Sequence, residues 1–403
     1  MLVEAQEFKS KRIAVKLSKA GQRSLKQGHP WLFKESVVKA SPEPKTGDLA
    51  VIYDNHTDKL IGLGYFDLES PINIKVLQHQ GPATIDVSFF KARIQQAYLN
   101  RVALREKETS GYRLAFGEND GLPGLIIDLY AEVAVVKLYS GIWVQHLEWM
   151  PEFLAELTGA KAVVLRLSRN MQRNIKTFED GTVLWGELAD PNVVFKEHGL
   201  NFHANVIKGH KTGYFLDHRH NRKQVGDLAH GKTVLDVFAY AGGFSVHALV
   251  GGAKEVSSVD LSAQALELAK ENARANPHSG IHNCLQGDAF EVLTALQEEG
   301  KRYDLVVIDP PAFAKKQDEI PRAKKAYARL VALGANLVAP KGMLVMASCS
   351  SRIGSQAFFD LVADQLAKAG VSYTLWKQTT HDLDHPIGFP EGAYLKCGYY
   401  KFK

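Results

Sequence analysis

Cys349 lies in the run Leu344-Val345-Met346-Ala347-Ser348-Cys349-Ser350, just past an apolar strand pattern and between two small hydroxyls. A lone cysteine in apolar surroundings is by default a packing residue. One at the end of a strand, flanked by hydroxyls, is placed to act as a nucleophile. A second apolar run ends in Asp309-Pro310-Pro311, with Phe313 close behind. Two prolines hold the chain extended and offer no backbone donor, so after the strand-ending acid they form a rigid, extended rim. A pyrimidine base would give these groups a joint purpose. Its C5 is a poor nucleophile until a thiolate adds to C6 and makes C5 enolate-like. After methylation a base removes the C5 proton and the thiol leaves. Cys349 suits the addition. Asp309 and Glu391 are the carboxylates available for the proton; the loop position of Glu391, between Pro390 and Gly392, favours it for that step and Asp309 for orienting the base. Cys284 and Cys397 read as packing residues.

A methyl donor needs its own pocket. Four apolar runs end in or near Asp236, Asp260, Asp288 and Asp309, with helical patterns between them. That is the pattern of parallel strands in an open sheet, which binds ligands at the carboxyl ends of its strands. Residues 233–244 (TVLDVFAYAGGF) run from strand to turn to helix through Phe238, Gly242, Gly243 and Phe244, a geometry that lets backbone approach a cofactor closely. The three spaced glycines of a pyrophosphate site are missing. Asp260 suits a ribose diol, and Asp288-Ala289-Phe290 suits an adenine, with a carboxylate for its amine and an apolar face for its ring. The cofactor expected is therefore S-adenosylmethionine. Residues 209–219 (GHKTGYFLDHR) read as a lip over this pocket. Thr212, Tyr214, Asp217 and Arg219 are assigned to the cofactor and Lys211 to the substrate.

These groups need a scaffold, and 403 residues suffice for two or three domains. Residues 1–82 read as a small β-rich domain in which Trp31 and Phe33 anchor the core. Arg23, Lys26 and His29 on the preceding loop are offered to RNA. The first 40 residues carry nine basic and three acidic side chains, against a net charge of +5 for the whole chain, which points to a polyanionic partner. Residues 83–190 read as an α+β domain. It has a helix over about 88–107, a hairpin, a second helix over about 142–157 and further strands. Arg166, Arg169, Arg173 and Lys176 form a solvated basic segment in it. Residues 191–403 open with a hairpin and continue into the acid-ended strands. The three cysteines form neither a disulfide framework nor a zinc-spaced cluster. No apolar leader or run of about 18–20 apolar residues is present. A cytoplasmic protein without membrane contact is expected.

The motifs GHPWLF, YRLAFGENDGLPGLIIDLY, GHKTGYFLDHR, VLDVFAYAGGFSVHAL, IDPPAF, SCS and FPEGAYLK occur in this order. Along essentially its full length the chain resembles the bacterial RlmI-type large-subunit ribosomal RNA cytosine-C5 methyltransferases. The resemblance implies an N-terminal PUA domain, a central α+β domain and a C-terminal Rossmann-like class I methyltransferase domain, an α/β fold. It also implies 23S rRNA as substrate, and it puts Cys349 where related enzymes with one motif cysteine carry the nucleophile. The chain departs from the family at Ala312, where a lysine often follows the prolines; Lys315 and Lys316 are offset from that position. Two other readings stand beside this one. One is methylation of another base without a thiol. The other is an inactive RNA-binding assembly factor, against which the intact acids and Cys349 argue. A homodimer is left open.

Overall fold

The computed structural model describes residues 10–314 and 316–403; Lys315 and the first nine residues of the basic end lie outside the described residues. The chain forms two compact units. The first comprises Met1–Lys196, Ala204–Phe215 and Leu383–Phe389, the second Glu197–His203, Leu216–Asp382 and Pro390–Lys403.

The first unit holds two sheets. Strands β1 (Arg12–Leu17), β2 (Trp31–Phe33), β3 (Val37–Ser41), β4 (Leu49–Tyr53), β5 (Leu60–Phe66) and β6 (Ile72–His79) pair in the order β2-β6-β5-β4-β1-β3. Alternation in β1 buries Ile13, Val15 and Leu17 against Leu25, Leu32, Ile52, Phe66 and Ile74. Helix α1 (Lys19–Lys26) stands where a loop was expected, capped by Ser18, whose hydroxyl accepts the Gly21 N–H. It carries Arg23 and Lys26. The core residue of β2 is Leu32, whereas Trp31 is half-buried and Phe33 exposed, because alternation along the strand turns its flanking residues outward.

The second sheet, in the order β11-β10-β9-β8-β7, comprises β7 (Gly111–Phe116), β8 (Leu125–Tyr130), β9 (Val133–Leu138), β10 (Ala162–Leu167) and β11 (Val183–Gly186). The expected helix over 88–107 is broken into α2 (Val87–Leu99) and α3 (Val102–Arg105). The interruption is where Arg101 turns inward, fully buried, to pair with Asp120 at 2.6 Å and donate to the carbonyls of Ala97 and Arg113. The expected second helix becomes a 3-10 turn (Gly141–His146) followed by α4 (Met150–Thr158), whose start is set by Pro151 in its first turn. Arg166 leaves the solvated segment: it is buried, bound to Asp180 at 3.1 Å and to the carbonyls of Val206 and Gly209. Arg169 and Arg173 lie on the short helix α5 (Arg169–Asn174).

A hairpin follows, β12 (Asn192–Glu197) and β13 (Leu200–Asn205), turning at His198-Gly199 with φ of 50° and 81°. The second unit then builds a seven-stranded sheet from β14 (Thr233–Val237), β15 (Glu255–Asp260), β16 (Ile281–Gln286), β17 (Tyr303–Ile308), β18 (Val338–Ser348), β19 (Tyr373–Thr379) and β20 (Lys396–Phe402). Its order is β16-β15-β14-β17-β18-β20-β19, with the first five strands parallel and β20 antiparallel to both neighbours. The connecting helices are α6 (Arg219–Leu228), α7 (Gly243–Val250), α8 (Ala263–Arg274), α9 (Ala289–Glu298), α10 (Ile320–Leu337) and α11 (Ser355–Lys368). Strand order reverses between β14 and β17, which makes the carboxyl ends of those strands the binding crevice of such a sheet. Among the described residues, no helix is long and apolar enough to cross a membrane.

Candidate active site

The turn after β14 is held in a costly conformation. Phe238, Tyr240 and Gly242 all adopt left-handed φ (66°, 49° and 74°), which only glycine adopts freely. A Cβ on Gly242 would lie 2.8 Å from Ala269 Cβ. Hydrogen bonds fix the turn to β15: the Phe238 and Ala239 N–H groups donate to the Val259 carbonyl, and the Tyr240 N–H to Asp260 Oδ2 at 2.8 Å. Asp260 Oδ1 accepts the Ser262 N–H. Each carboxylate oxygen so used keeps a further lone pair, enough for the two hydroxyls of a ribose.

Asp236 is fully buried within β14. Its Oδ2 accepts from the Ser245 N–H (3.1 Å) and hydroxyl (2.6 Å), whereas Oδ1 has no hydrogen-bond partner among the described residues. Burial pushes the carboxyl up to about 7; the Ser245 bonds oppose the shift and the charges of Asp309 and Asp260 add to it. An orphaned buried carboxylate oxygen beside a strained glycine turn fits a ligand with a cationic or hydrogen-donating group, and S-adenosylmethionine has an ammonium and ribose hydroxyls. Asp288 caps α9 through Oδ1, accepting from the Phe290 and Glu291 N–H groups. Ala289 is buried, and the half-buried Phe290 ring lies 4.7 Å from the Arg329 guanidinium, which engages one of its faces. Gly243 opens α7, and Phe244 is buried, packed on the His218 ring with centroids 5.7 Å apart.

The thiol lies one strand over. Ile308 and Met346 are paired in register, so β17 and β18 end next to each other, and Asp309 and Cys349 follow one and three residues beyond that pair. Cys349 Sγ is 3.8 Å from Asp309 Oδ1 and 3.6 Å from His218 Nε2, and His218 Nε2 is 3.3 Å from Asp309 Oδ1. The three atoms lie within 4.8 Å of one another. The serines on either side of Cys349 secure its loop. Ser348 Oγ bonds the Tyr327 hydroxyl at 2.9 Å, and Ser350 Oγ donates to the Ala314 carbonyl at 3.2 Å, tying the cysteine loop to the Asp309-Pro310-Pro311 rim. Pro310 is buried, Pro311 is exposed, and Phe313 stands edge-on to Tyr327.

Two residues of this site lie inside the motifs GHKTGYFLDHR and FPEGAYLK but have no role assigned to them from sequence. His218 is one. The other is Lys396, whose buried ammonium donates to the carbonyls of Ser350 (2.5 Å), Ile353 (2.7 Å) and Tyr394 (3.0 Å). Burial depresses Lys396 to about 8. Glu391 occupies an exposed 3-10 turn, Pro390–Gly392, and is not one of the three residues whose donor atoms converge.

The expected lip residues divide. Asp217 accepts the Tyr394 hydroxyl at 2.9 Å, and Arg219 is buried in an ion pair with Asp382 at 2.8 Å. Thr212 and Tyr214 belong to the first unit and are buried there. The Thr212 hydroxyl is spent on Asp128 (2.6 Å) and Tyr130 (2.8 Å), and the Tyr214 N–H on the Tyr130 hydroxyl. Lys211 is exposed, and its carbonyl accepts the Lys137 ammonium. Of the other residues assigned to RNA, Arg23 is exposed, Lys26 pairs with Asp54 at 2.6 Å, and His29 is half-buried edge-on to Trp31 and Phe389.

Residues 115–391 match the family model of S-adenosylmethionine-dependent methyltransferases, and residues 15–79 that of PUA-like domains. A ribosomal RNA large subunit methyltransferase of Deinococcus radiodurans is 41% identical, over 96% of each chain. The ribosomal RNA large subunit methyltransferase I of Aeromonas salmonicida is 34% identical, over 95% of this chain and 98% of its own. In fold, the chain is similar to SMU.776, a methyltransferase-like protein solved with SAH. The TM-score is 0.82 at 22% identity, over 97% of this chain and all of that one. By these matches, which run along nearly its whole length, the chain belongs to the family of S-adenosylmethionine-dependent methyltransferases that includes the ribosomal RNA large subunit methyltransferases I.

Proposed function

We propose that this protein methylates C5 of a cytosine in large-subunit (23S) ribosomal RNA, with Cys349 adding to C6 of the base. The convergence of thiol, imidazole and carboxylate at the ends of β17 and β18 carries the reading. The names of the relatives at 34–41% identity support ribosomal RNA as the substrate. When bound, S-adenosylmethionine supplies the electrophilic methyl group. Asp236, Phe238, Gly242, Gly243, Phe244, Asp260, Asp288, Ala289 and Phe290 would hold it. Pro310 and Pro311 give the target ring a rigid edge, and Asp309 orients it. The Cys349 thiolate forms the S–C6 bond and its electron pair activates C5. Once C5 carries the methyl group, a base takes the C5 proton, the pair returns to C5–C6 and the S–C6 bond breaks. We assign that proton to Asp309, whose Oδ1 is 3.8 Å from the sulfur, in preference to Glu391 on its exposed turn.

The reading is tested by mass spectrometry of nucleosides from 23S rRNA of cells with and without the protein. Loss of one 5-methylcytidine is expected, and restoration by wild type but not by Cys349→Ser, with SAH binding kept in the variant. Loss of a different methylated base would replace the reaction by thiol-free methylation. An unchanged profile would favour the assembly-factor reading.

A further inference from the structure

His218 faces the thiol with one particular nitrogen. Its Nδ1 is 3.1 Å from the Asn221 side-chain NH2, which can only donate. Asn221 is held in that orientation by its own oxygen, which accepts from the Thr379 hydroxyl at 2.6 Å and the Tyr399 hydroxyl at 2.9 Å. Nδ1 is therefore the acceptor in neutral His218, and Nε2 carries the proton. In the cation both nitrogens are protonated. In either state an Nε2–H points at Asp309 Oδ1 and Cys349 Sγ, 3.3 and 3.6 Å away.

We propose that His218 is a catalytic residue of this site, its Nε2–H holding Cys349 as the thiolate, with Asn221 as the positioning residue that fixes the proton on Nε2. The proposal rests on the cysteine mechanism above. Its step balances without a co-reactant: the S–H bond breaks, the sulfur keeps the electron pair, and the proton leaves to solvent through the half-buried side of Cys349. Asp309 is left to take the C5 proton, and the shared donor offsets the repulsion between carboxylate and thiolate.

Several charged or titratable groups bear on the pair. Asp217, His220 and Arg222 bear on His218 from α6 and the segment before it. Asp309 bears on it from β17, Tyr327 from α10 and Lys396 from β20 bear on Cys349, and Asp236 on β14 and Cys397 on β20 couple to Asp309. Burial works against the His218 cation, but the Asp309 charge, its hydrogen bond and Asp217 outweigh burial and hold the imidazole above its ordinary value. Lys396 is the nearby cation that could act in place of His218, so the test must separate the two.

The experiment is the pH profile of iodoacetamide alkylation at Cys349 in the full-length protein, in chelated buffer, read by peptide mass spectrometry. Wild type should show a midpoint at least one unit below the ordinary thiol value of about 8.5. His218→Ala should raise that midpoint by about one unit, a roughly tenfold slower alkylation near pH 7, with the rate above pH 9.5 unchanged. His218→Gln, which restores a neutral donor, should recover part of the shift, and Asn221→Leu should shift it in the direction of His218→Ala. A wild-type midpoint at or above about 8.5 would overturn the proposal whether or not the variants fold. So would equal midpoints in wild type and an SAH-binding His218→Ala. The cysteine mechanism is judged separately: 5-methylcytidine formation surviving in Cys349→Ser would remove that mechanism, whereas its loss there together with an unshifted His218→Ala midpoint would remove only the role of His218.

Discussion

Lys396→Met removes the ammonium that holds the loop after Cys349, and its cost can be worked out from the contacts. The ammonium donates three hydrogen bonds, at 2.5, 2.7 and 3.0 Å, to the carbonyls of Ser350, Ile353 and Tyr394, and the side chain is 2% exposed. Leaving each acceptor unpaired costs roughly 1–3 kcal/mol, so the gross loss is about 3–9 kcal/mol. Against this stands the cost of dehydrating the ammonium. The drop from 10.5 to about 8 is some 2.5 units, which is worth up to about 3 kcal/mol at 1.36 kcal/mol per unit. The net expectation is about 0–6 kcal/mol of destabilisation, a melting temperature lower by up to roughly 24 °C for a unit of this size. Catalysis should suffer more than stability, because Ser350 and Ile353 define where the sulfur sits: kcat should fall by at least about 100-fold with SAH affinity within about twofold. The variant also tests the sign of a pH effect. Between about pH 8 and 10.5 the unfolded lysine keeps a proton that the folded one has released, so this residue's contribution to stability rises with pH across that window. The rise should be absent in Lys396→Met. Thermal denaturation across pH and single-turnover methyl transfer are the assays. A variant with wild-type melting temperature and wild-type kcat would refute the reasoning.

Asp236 should couple cofactor binding to pH. Its carboxyl, raised to about 7 by burial, must ionise to receive the ammonium of the ligand. Calorimetric SAH affinity should therefore strengthen by about tenfold per unit as pH rises toward 7 and then level off; Asp236→Asn should bind more weakly with a flat profile, and a flat wild-type profile would contradict the assignment. In the ligand-free protein the same raised pKa makes the folded state bind more protons than the unfolded between 3.8 and about 7, so this group's contribution to stability falls as pH rises through that range. Arg222→Met should destabilise by about 3–5 kcal/mol, because it strands the buried Glu197 carboxylate that Arg222 grips at 2.6 and 2.7 Å; chemical denaturation measures it. Glu197→Gln, which leaves a neutral partner there, should cost less.

The sheet was legible because its strands announce themselves locally. Apolar runs ending near Asp236, Asp260, Asp288 and Asp309 are short-range patterns, and β14 to β17 follow them. Cys349 and Asp309 were legible for the same reason: each follows a strand, and adjacent parallel strands bring such positions together. His218 and Lys396 were not. Both lie inside legible motifs, GHKTGYFLDHR and FPEGAYLK, but His218 lies 131 residues from its sulfur partner and Lys396 46 residues from Ser350, so no local pattern gives either one its role. Their meaning comes from the chain path. Thr212 and Tyr214 drew attention as polar residues in a glycine-bearing loop, a signal that does not reveal whether a hydroxyl already has protein partners. Asp128 and Tyr130 are those partners. The same blindness let Arg166 pass for surface, although Asp180 and two carbonyls satisfy it in the interior. The glycine turn was read correctly as a turn, but the left-handed φ at Phe238 and Tyr240 had no local cue, since neither residue type prefers it.

The central claim is the bond between Cys349 and a cytosine ring. It is tested most directly with 23S rRNA transcribed with 5-fluorocytidine and incubated with the protein and S-adenosylmethionine. Fluorine at C5 cannot leave as a proton, so the S–C6 bond formed during methyl transfer should persist. The expected result is a denaturant-stable protein–RNA complex, cross-linked at Cys349 by peptide mass spectrometry and absent with Cys349→Ser. Methylation of the unmodified transcript with no trapped complex on the fluorinated one, or a complex that still forms in Cys349→Ser, would contradict it.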